Sequence, residues 1–284
     1  MLQHATSAGI RVGGISVPNG GSTQMPGEAV VLAAGAGTRL RIGDDAPPKP
    51  LTPVLGRTLI ERSIEAFSTA GVRRLSVVVG CDSDLLAAAV EELAATYEIQ
   101  VDVVENPAWQ QGNGSSVLAA ADSVDGAFYL AMGDHLFDQS ILGTLADADD
   151  GAELSLAVDH AWRAVPDLDE ATKVLLDGRA ILDIGKELSE FDAVDTGIFL
   201  CRSGIFDALA CARAAEDHSL SGAVKVLARR GEAVTAPVTG RFWHDVDTPA
   251  DLALAERRLL QRDAMAPDRA ASSSPERVPG VLRA

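Results

Sequence analysis

Four short apolar runs, Ala29–Ala33, Leu75–Val79, Gln100–Val104 and Ala127–Ala131, alternate with stretches of helical spacing. This alternation limits the chain more than any other feature, because strands that recur across intervening helices pack as an α/β domain. Leu59, Ile60, Ile64 and Phe67 share one helical face within Thr58–Ala70, and Gly71 stands where a C-terminal stop belongs. Asp82 is placed to N-cap the Ala- and Leu-rich run that ends at Tyr97. Beyond Gly151 the strands shorten, with Asp177-Gly178 predicted to turn a hairpin joining Lys173–Leu176 to Ala180–Ile184. The pattern predicts a Rossmann-like three-layer fold with a mostly parallel central sheet and a small antiparallel part that covers the substrate. It occupies residues 26–263, between a disordered leader at 1–25 and a flexible tail at 264–284 rich in Ser and Pro.

Composition then removes several functions. The 284 residues carry 24 Lys plus Arg against 41 Asp plus Glu, a formal charge of −17, which disfavours nucleic acid and anionic membrane surfaces as partners. No stretch approaches the roughly 18 consecutive apolar residues of a membrane span. Cys81, Cys201 and Cys211 show no paired spacing; they read as buried thiols in a reducing, cytoplasmic setting. Oligomeric state has no signature in the sequence.

In an open parallel sheet, ligands gather beyond the carboxyl ends of the strands. The first run is followed there by Ala34-Gly35-Ala36-Gly37-Thr38-Arg39-Leu40, the third by Glu105-Asn106-Pro107 and Gly112-Asn113-Gly114-Ser115, and the fourth by Gly133-Asp134-His135. A glycine loop lets backbone amides approach phosphates, and Arg39 adds charge. Leu40 replaces the third glycine of a dinucleotide fingerprint and Pro47-Pro48 interrupt the expected helix, which disfavours a nicotinamide or flavin enzyme. Lys49, stiffened between Pro48 and Pro50, is the natural second cation for a triphosphate. Asp134 suits Mg²⁺, which takes one or two carboxylates together with substrate phosphates. Asp245 and Asp247, two apart in an extended segment, point the same way and supply a second acidic site; Asp247 or Thr248 is also a candidate cap for the helix Pro249–Leu260. Because Mg²⁺ prefers oxygen, His135 and His244 read as pocket residues, and Trp109, Trp162 and Trp243 as packing residues.

Leu32–Leu40, Pro48–Leu51, residues 112–115 and Met132-Gly133-Asp134-His135 resemble the nucleotidyltransferases that couple a nucleoside triphosphate to a phosphorylated small molecule. Glu170-Ala171-Thr172-Lys173, Ile184-Gly185-Lys186-Glu187-Leu188, Asp195-Thr196-Gly197-Ile198-Phe199 and Asp245-Val246-Asp247-Thr248 are most similar to inositol-1-phosphate cytidylyltransferases. The resemblance runs from about Ala29 to Leu260 and implies a role for each position. Leu32, Ala33, Ala34, Gly35, Gly37, Thr38, Arg39, Lys49, Glu105, Gly112, Asn113, Ser115, Gly133 and Asp134 would bind the nucleotide. His135, Lys173, Lys186, Asp195, Thr196 and Gly197 would face the acceptor, with Lys186 on its phosphate. Asp134 with Asp245 or Asp247 would hold Mg²⁺, and Arg39, Lys49 and Lys186 would carry catalysis.

Ala33-Ala34-Gly35, in place of the double glycine of hexose-1-phosphate enzymes, resembles cytidylyltransferases and implies CTP. Gln111 departs from the family, which commonly has lysine before the Gly-Asn pair. Some relatives add a membrane-embedded phosphotransferase half; without one, this chain is expected to make CDP-inositol and pyrophosphate and pass the activated alcohol on. Alternatives left open are another cyclitol phosphate, a sugar phosphate or a hydroxyalkylphosphonate as acceptor, GTP or UTP as donor, and a catalytically silent nucleotide-binding subunit.

Overall fold

A computed structural model describes residues 25–41 and 46–265. The expected leader and tail lie outside the described residues, apart from Met25 and the helical residues Ala264 and Met265. In chain order the elements begin with β1 Glu28–Leu32, β2 Pro53–Val54, β3 Arg57–Thr58, α1 Leu59–Thr69, β4 Arg74–Val79, α2 Ser83–Tyr97 and β5 Gln100–Glu105. There follow α3 Asn113–Ala119, β6 Phe128–Met132, β7 His135–Phe137, α4 Ser140–Asp147, β8 Leu154–Asp159, β9 Lys173–Asp177 and β10 Ala180–Gly185. The last are β11 Ala193–Cys201, α5 Gly204–Ala214, α6 Leu220–Arg230, β12 Ala233–Pro237, β13 Trp243–Asp245 and α7 Pro249–Met265.

Nine of the strands form one sheet in the order β5-β4-β1-β6-β11-β8-β12-β10-β9. The first four run parallel, as the early pattern predicts. The expectation of a mostly parallel sheet does not carry to the second half. There β11 is antiparallel to β6, β8 and β9, and β10 is antiparallel to β9 and β12, while β8 and β12 pair in parallel. The sheet is mixed because β9, β10 and β11 follow one another through turns, without the crossover helix that a parallel return requires. The hairpin lies where predicted, with Ala180 paired to Asp177 around Gly178 and Arg179.

Alternation along the strands creates the three layers. Ala29, Val31 and Ala33 point to one face, where they pack with Ile60, Ile64 and Phe67 of α1, Leu86 of α2 and Leu142 of α4. Val30, Leu32 and Ala34 point to the other, against Val117 of α3, Ala208 of α5 and Val224 of α6. Each fully buried Val, Leu, Ile or Phe among them contributes about 1.5–3 kcal/mol relative to exposure. A third cluster, including Val54, Leu136, Phe242, Val246 and Ala255, ties α7 to the β2–β3 hairpin.

Thr58 caps α1 reciprocally with Glu61. Asp82 does not cap α2 as expected. Its backbone is left-handed, at φ 56°, its carboxylate accepts no helix amide, and it pairs instead with Arg41. Of the cysteines only Cys201 is buried; Cys211 is exposed and Cys81 intermediate, which corrects the reading of all three as buried.

Candidate active site

The carboxyl ends of β1 and β6 open into two cavities that share Arg39, Asp134 and Asp247. The smaller, about 260 Å³, is lined by Leu32, Ala33, Gly35, Gly37, Thr38 and Arg39 of the glycine loop, with Lys49, Gly133, Asp134 and Asp247. Gly37 has φ +60° and lies directly on the Lys49 side chain, so a Cβ there would overlap it. That close approach keeps Lys49 buried beneath the loop.

Two carboxylates compensate the buried ammonium. Lys49 Nζ donates to Asp134 Oδ2 at 2.7 Å and also to Asp247. Burial works against its charge, but Asp134, Asp247 and Asp245 outweigh it and hold the lysine above its ordinary pKa. Arg39 reaches the other oxygen of Asp247 at 2.6 Å, so both cations assigned to the triphosphate converge on one carboxylate.

The larger cavity, about 310 Å³, extends from Asp134 over His135, Asp195 and Gly197 to Lys186, with Trp243, Asp245 and Asp159 also in its wall. Strand β13 pairs with β7 and sets Asp245 opposite His135. Ligand atoms of Asp134, His135 and Asp245 lie within 4.8 Å of one another. His135 Nδ1 is 2.8 Å from Asp134 Oδ1 and 3.8 Å from Asp245 Oδ1. Burial would lower the histidine, but the charge of Asp245 and the bond to Asp134 raise it to about 9. His135 and Lys49 in turn hold Asp134 well below the carboxylate range despite its desolvation. Desolvation moves Asp245 up and pushes Asp195 up to about 6.

The residues present fit a hard cation. Asp245 Oδ1 is buried without a hydrogen-bond partner, beside the Asp134 carboxylate in the wall of the larger cavity. Asp247 lies nearby, engaged by Arg39 and Lys49, whereas Asp245 carries the buried carboxylate oxygen without a partner.

Several residues expected at the site are elsewhere. Lys173 lines neither cavity; its ammonium donates to the Lys186 carbonyl and lies over Phe191. Thr196 is fully buried and donates to Ala157 O at 2.8 Å, tying β11 to β8. Glu105 is exposed where β5 ends at the sheet edge, lining neither cavity. Ser115 donates to Ala108 O and Gly112 O and faces a separate cavity between α3 and α5. Gly112 backs onto the His218 carbonyl, and the Asn113 side chain, though at the rim of the larger cavity, accepts from Leu220 N at 2.8 Å. Ala34 is buried and accepts from Cys81 N. Thr248, rather than Asp247, caps α7, in reciprocal bonds with Asp251.

Two further charged residues, without a role in the sequence motifs, also reach the site. Glu170 stands between Arg39 and Lys186, and Arg258 of α7 lines the larger cavity against His244. Trp243, read as packing, is mostly buried, and its indole donates to Asp159 Oδ2 at 2.9 Å in the cavity floor.

Comparisons with known proteins agree with this architecture. The model of the MobA-like NTP transferase domain matches residues 29–261. A protein of Rubrobacter xylanophilus named bifunctional IPC transferase and DIPP synthase is 37% identical over 234 residues, 82% of this chain and 52% of its own length. Its namesake in Thermococcus kodakarensis is 34% identical over 239 residues, covering 84% and 51%. The chain thus spans about half the length of the curated relatives it matches. A solved structure described as the inositol-1-phosphate CTP transferase from T. maritima superposes with a TM-score of 0.72 at 28% identity, covering 82% of this chain and 97% of that one. The chain belongs to the MobA-like NTP transferase domain family.

Proposed function

We propose that this chain transfers a cytidylyl group from CTP to inositol 1-phosphate, releasing pyrophosphate and CDP-inositol. The observation that carries the reading is that Arg39, Asp134 and Asp247 line both the glycine-loop cavity and the cavity that holds Lys186, so a triphosphate in one and a phosphate monoester in the other would meet across Asp134 and the cation Arg39. The names of the similar proteins, inositol-1-phosphate CTP transferase and IPC transferase, supply the substrate pair.

In this account a phosphate oxygen of the acceptor attacks the α-phosphorus in line. The bond between the α-phosphorus and the bridging oxygen breaks, and pyrophosphate leaves with those electrons. The acceptor is already anionic, so the protein needs no nucleophile of its own. Its task is to bring two anions together and offset the charge that develops. Arg39, Lys49 and the loop amides from Gly35 to Thr38 take the triphosphate in place of Asp247, and Lys186 takes the acceptor phosphate. The sharp left-handed turn at Gly37 presses the loop onto Lys49 and keeps its ammonium beside Asp134. Asp134 and Asp245 are the residues that would hold Mg²⁺, which when bound supplies Lewis-acid charge at the reacting phosphate. His135 keeps Asp134 oriented, and Asp195, with Gly197, offers the acceptor a polar wall.

The test is ³¹P NMR of CTP, Mg²⁺ and inositol 1-phosphate with the purified chain. The expected result is paired diphosphate signals of CDP-inositol together with free pyrophosphate; both substrates persisting unchanged overturns the reading.

A further inference from the structure

The ion pairs of the site run continuously from Lys186 through Glu170, Arg39 and Asp247 to Lys49. Glu170 is the link that the proposed chemistry leaves without a task. Its Oε2 lies 3.2 Å from Lys186 Nζ and 4.0 Å from Arg39 Nη1, at the wall of the larger cavity. One carboxylate oxygen therefore faces both the cation assigned to the acceptor phosphate and a cation assigned to the triphosphate.

The backbone beneath this side chain is anchored. Glu170 N and Ala171 N both donate to Asp167 O, and Leu168 and Ala171 pack against the core. The side chain itself is more than half exposed, as is that of Lys186. Ion pairs between exposed groups are weak, which makes this carboxylate easy to displace.

We infer that Glu170 holds the place of the acceptor's phosphate in the ligand-free protein and is displaced when that phosphate binds, an inference that rests on the function proposed above. A phosphate monoester brings three oxygens and close to two negative charges, against one charge on the carboxylate, so it takes Lys186 from Glu170 and leaves Arg39 to the triphosphate. A neutral hydroxyl compound brings no charge and leaves the Glu170 bridges closed. The device selects dianionic acceptors over their unphosphorylated forms. It also keeps Arg39 and Lys186 one anion apart, so little reorganisation remains when substrate arrives. Glu170 is in this sense a positioning residue.

The test is calorimetric binding of inorganic phosphate to the full chain, without nucleotide, in the wild type and in Glu170→Gln, Glu170→Asp and Lys186→Ala. Removing the competing charge in Glu170→Gln is expected to tighten phosphate binding about threefold to tenfold, a modest gain in keeping with exposed ion pairs. Glu170→Asp keeps the charge but is a methylene too short to span both cations, and is expected to follow Glu170→Gln. In the Lys186→Ala background the Glu170→Gln difference should vanish. Unchanged or weaker phosphate binding in Glu170→Gln overturns the inference, as does wild-type behaviour of Glu170→Asp or a difference that persists without Lys186. Because the probe is inorganic phosphate, the outcome is independent of whether CTP and inositol 1-phosphate turn over.

Discussion

Lys49 and Asp134 form a 2.7 Å ion pair at the junction of the two cavities, with the lysine buried under the glycine loop and the carboxylate open to both sides. The pair places the cation expected to neutralise the triphosphate against a residue expected to hold the metal.

Removing that cation should cost turnover, and stability as well, because it leaves Asp134 and Asp247 without their buried partner. By analogy with the loss of one donor to a transition-state charge, Lys49→Ala is expected to lower kcat by about a hundredfold or more, on the order of 3 kcal/mol. Steady-state pyrophosphate release measures the loss, and full activity in the variant contradicts the role given to Lys49.

Gly37→Ala tests the same junction without changing any charge. Alanine at φ +60° is strained, and its methyl group overlaps Lys49. Displacing the ammonium by an ångström is expected to reduce kcat/KM about tenfold to a hundredfold. A thermal melt with the native transition retained would show that the loss is local.

The pH dependence of stability follows from His135. Its folded pKa, about 9, lies above the unfolded value, so its contribution is fully present below about pH 6.5 and is lost as pH rises through 9. In denaturant titrations of chelator-treated protein, stability should fall between those values, by an amount up to about 3 kcal/mol. His135→Gln should flatten this part of the profile; a profile identical to the wild type removes His135 as its cause.

In the cavity floor, Trp243→Phe deletes the indole donor to Asp159 and leaves Oδ2 of a buried carboxylate short of a partner. The expected cost is about 1–3 kcal/mol of stability, read as a lowered denaturation midpoint. KM for the acceptor should rise more than KM for CTP, because Trp243 and Asp159 line the acceptor cavity alone.

What the sequence disclosed, and what it hid, has a physical pattern. The glycine loop, Lys49, Asp134 and the Asp245–Asp247 pair were legible because each follows a strand end or a stiffened turn, where local geometry decides where a side chain goes. Thr196 was misplaced by treating consecutive strand residues as equivalent. Neighbours on a strand face opposite ways, so with Asp195 and Gly197 at the cavity, Thr196 turns into the sheet. The same alternation separates Thr172, which lines the cavity, from Lys173, which does not. Alternation was available in the sequence and would have corrected both.

Other placements are not legible in one chain. Ser115 is turned away by contacts that bring the His218 carbonyl against Gly112 and Gly114, about a hundred positions later in the sequence. The antiparallel insertion of β11 between β6 and β8 likewise depends on pairings that no local pattern encodes. Arg258 sits on an ordinary charged helix and becomes a cavity residue only because α7 packs back beneath β13.

The most direct test of the account is pyrophosphate release in the presence of Mg²⁺, with CTP, UTP, GTP and ATP each offered against both enantiomers of inositol 1-phosphate, glucose 1-phosphate and 2-hydroxyethylphosphonate. Release with CTP and an inositol 1-phosphate, abolished by Asp134→Asn, is the expected result. Release with a different nucleotide and acceptor, or none with any pair, contradicts it.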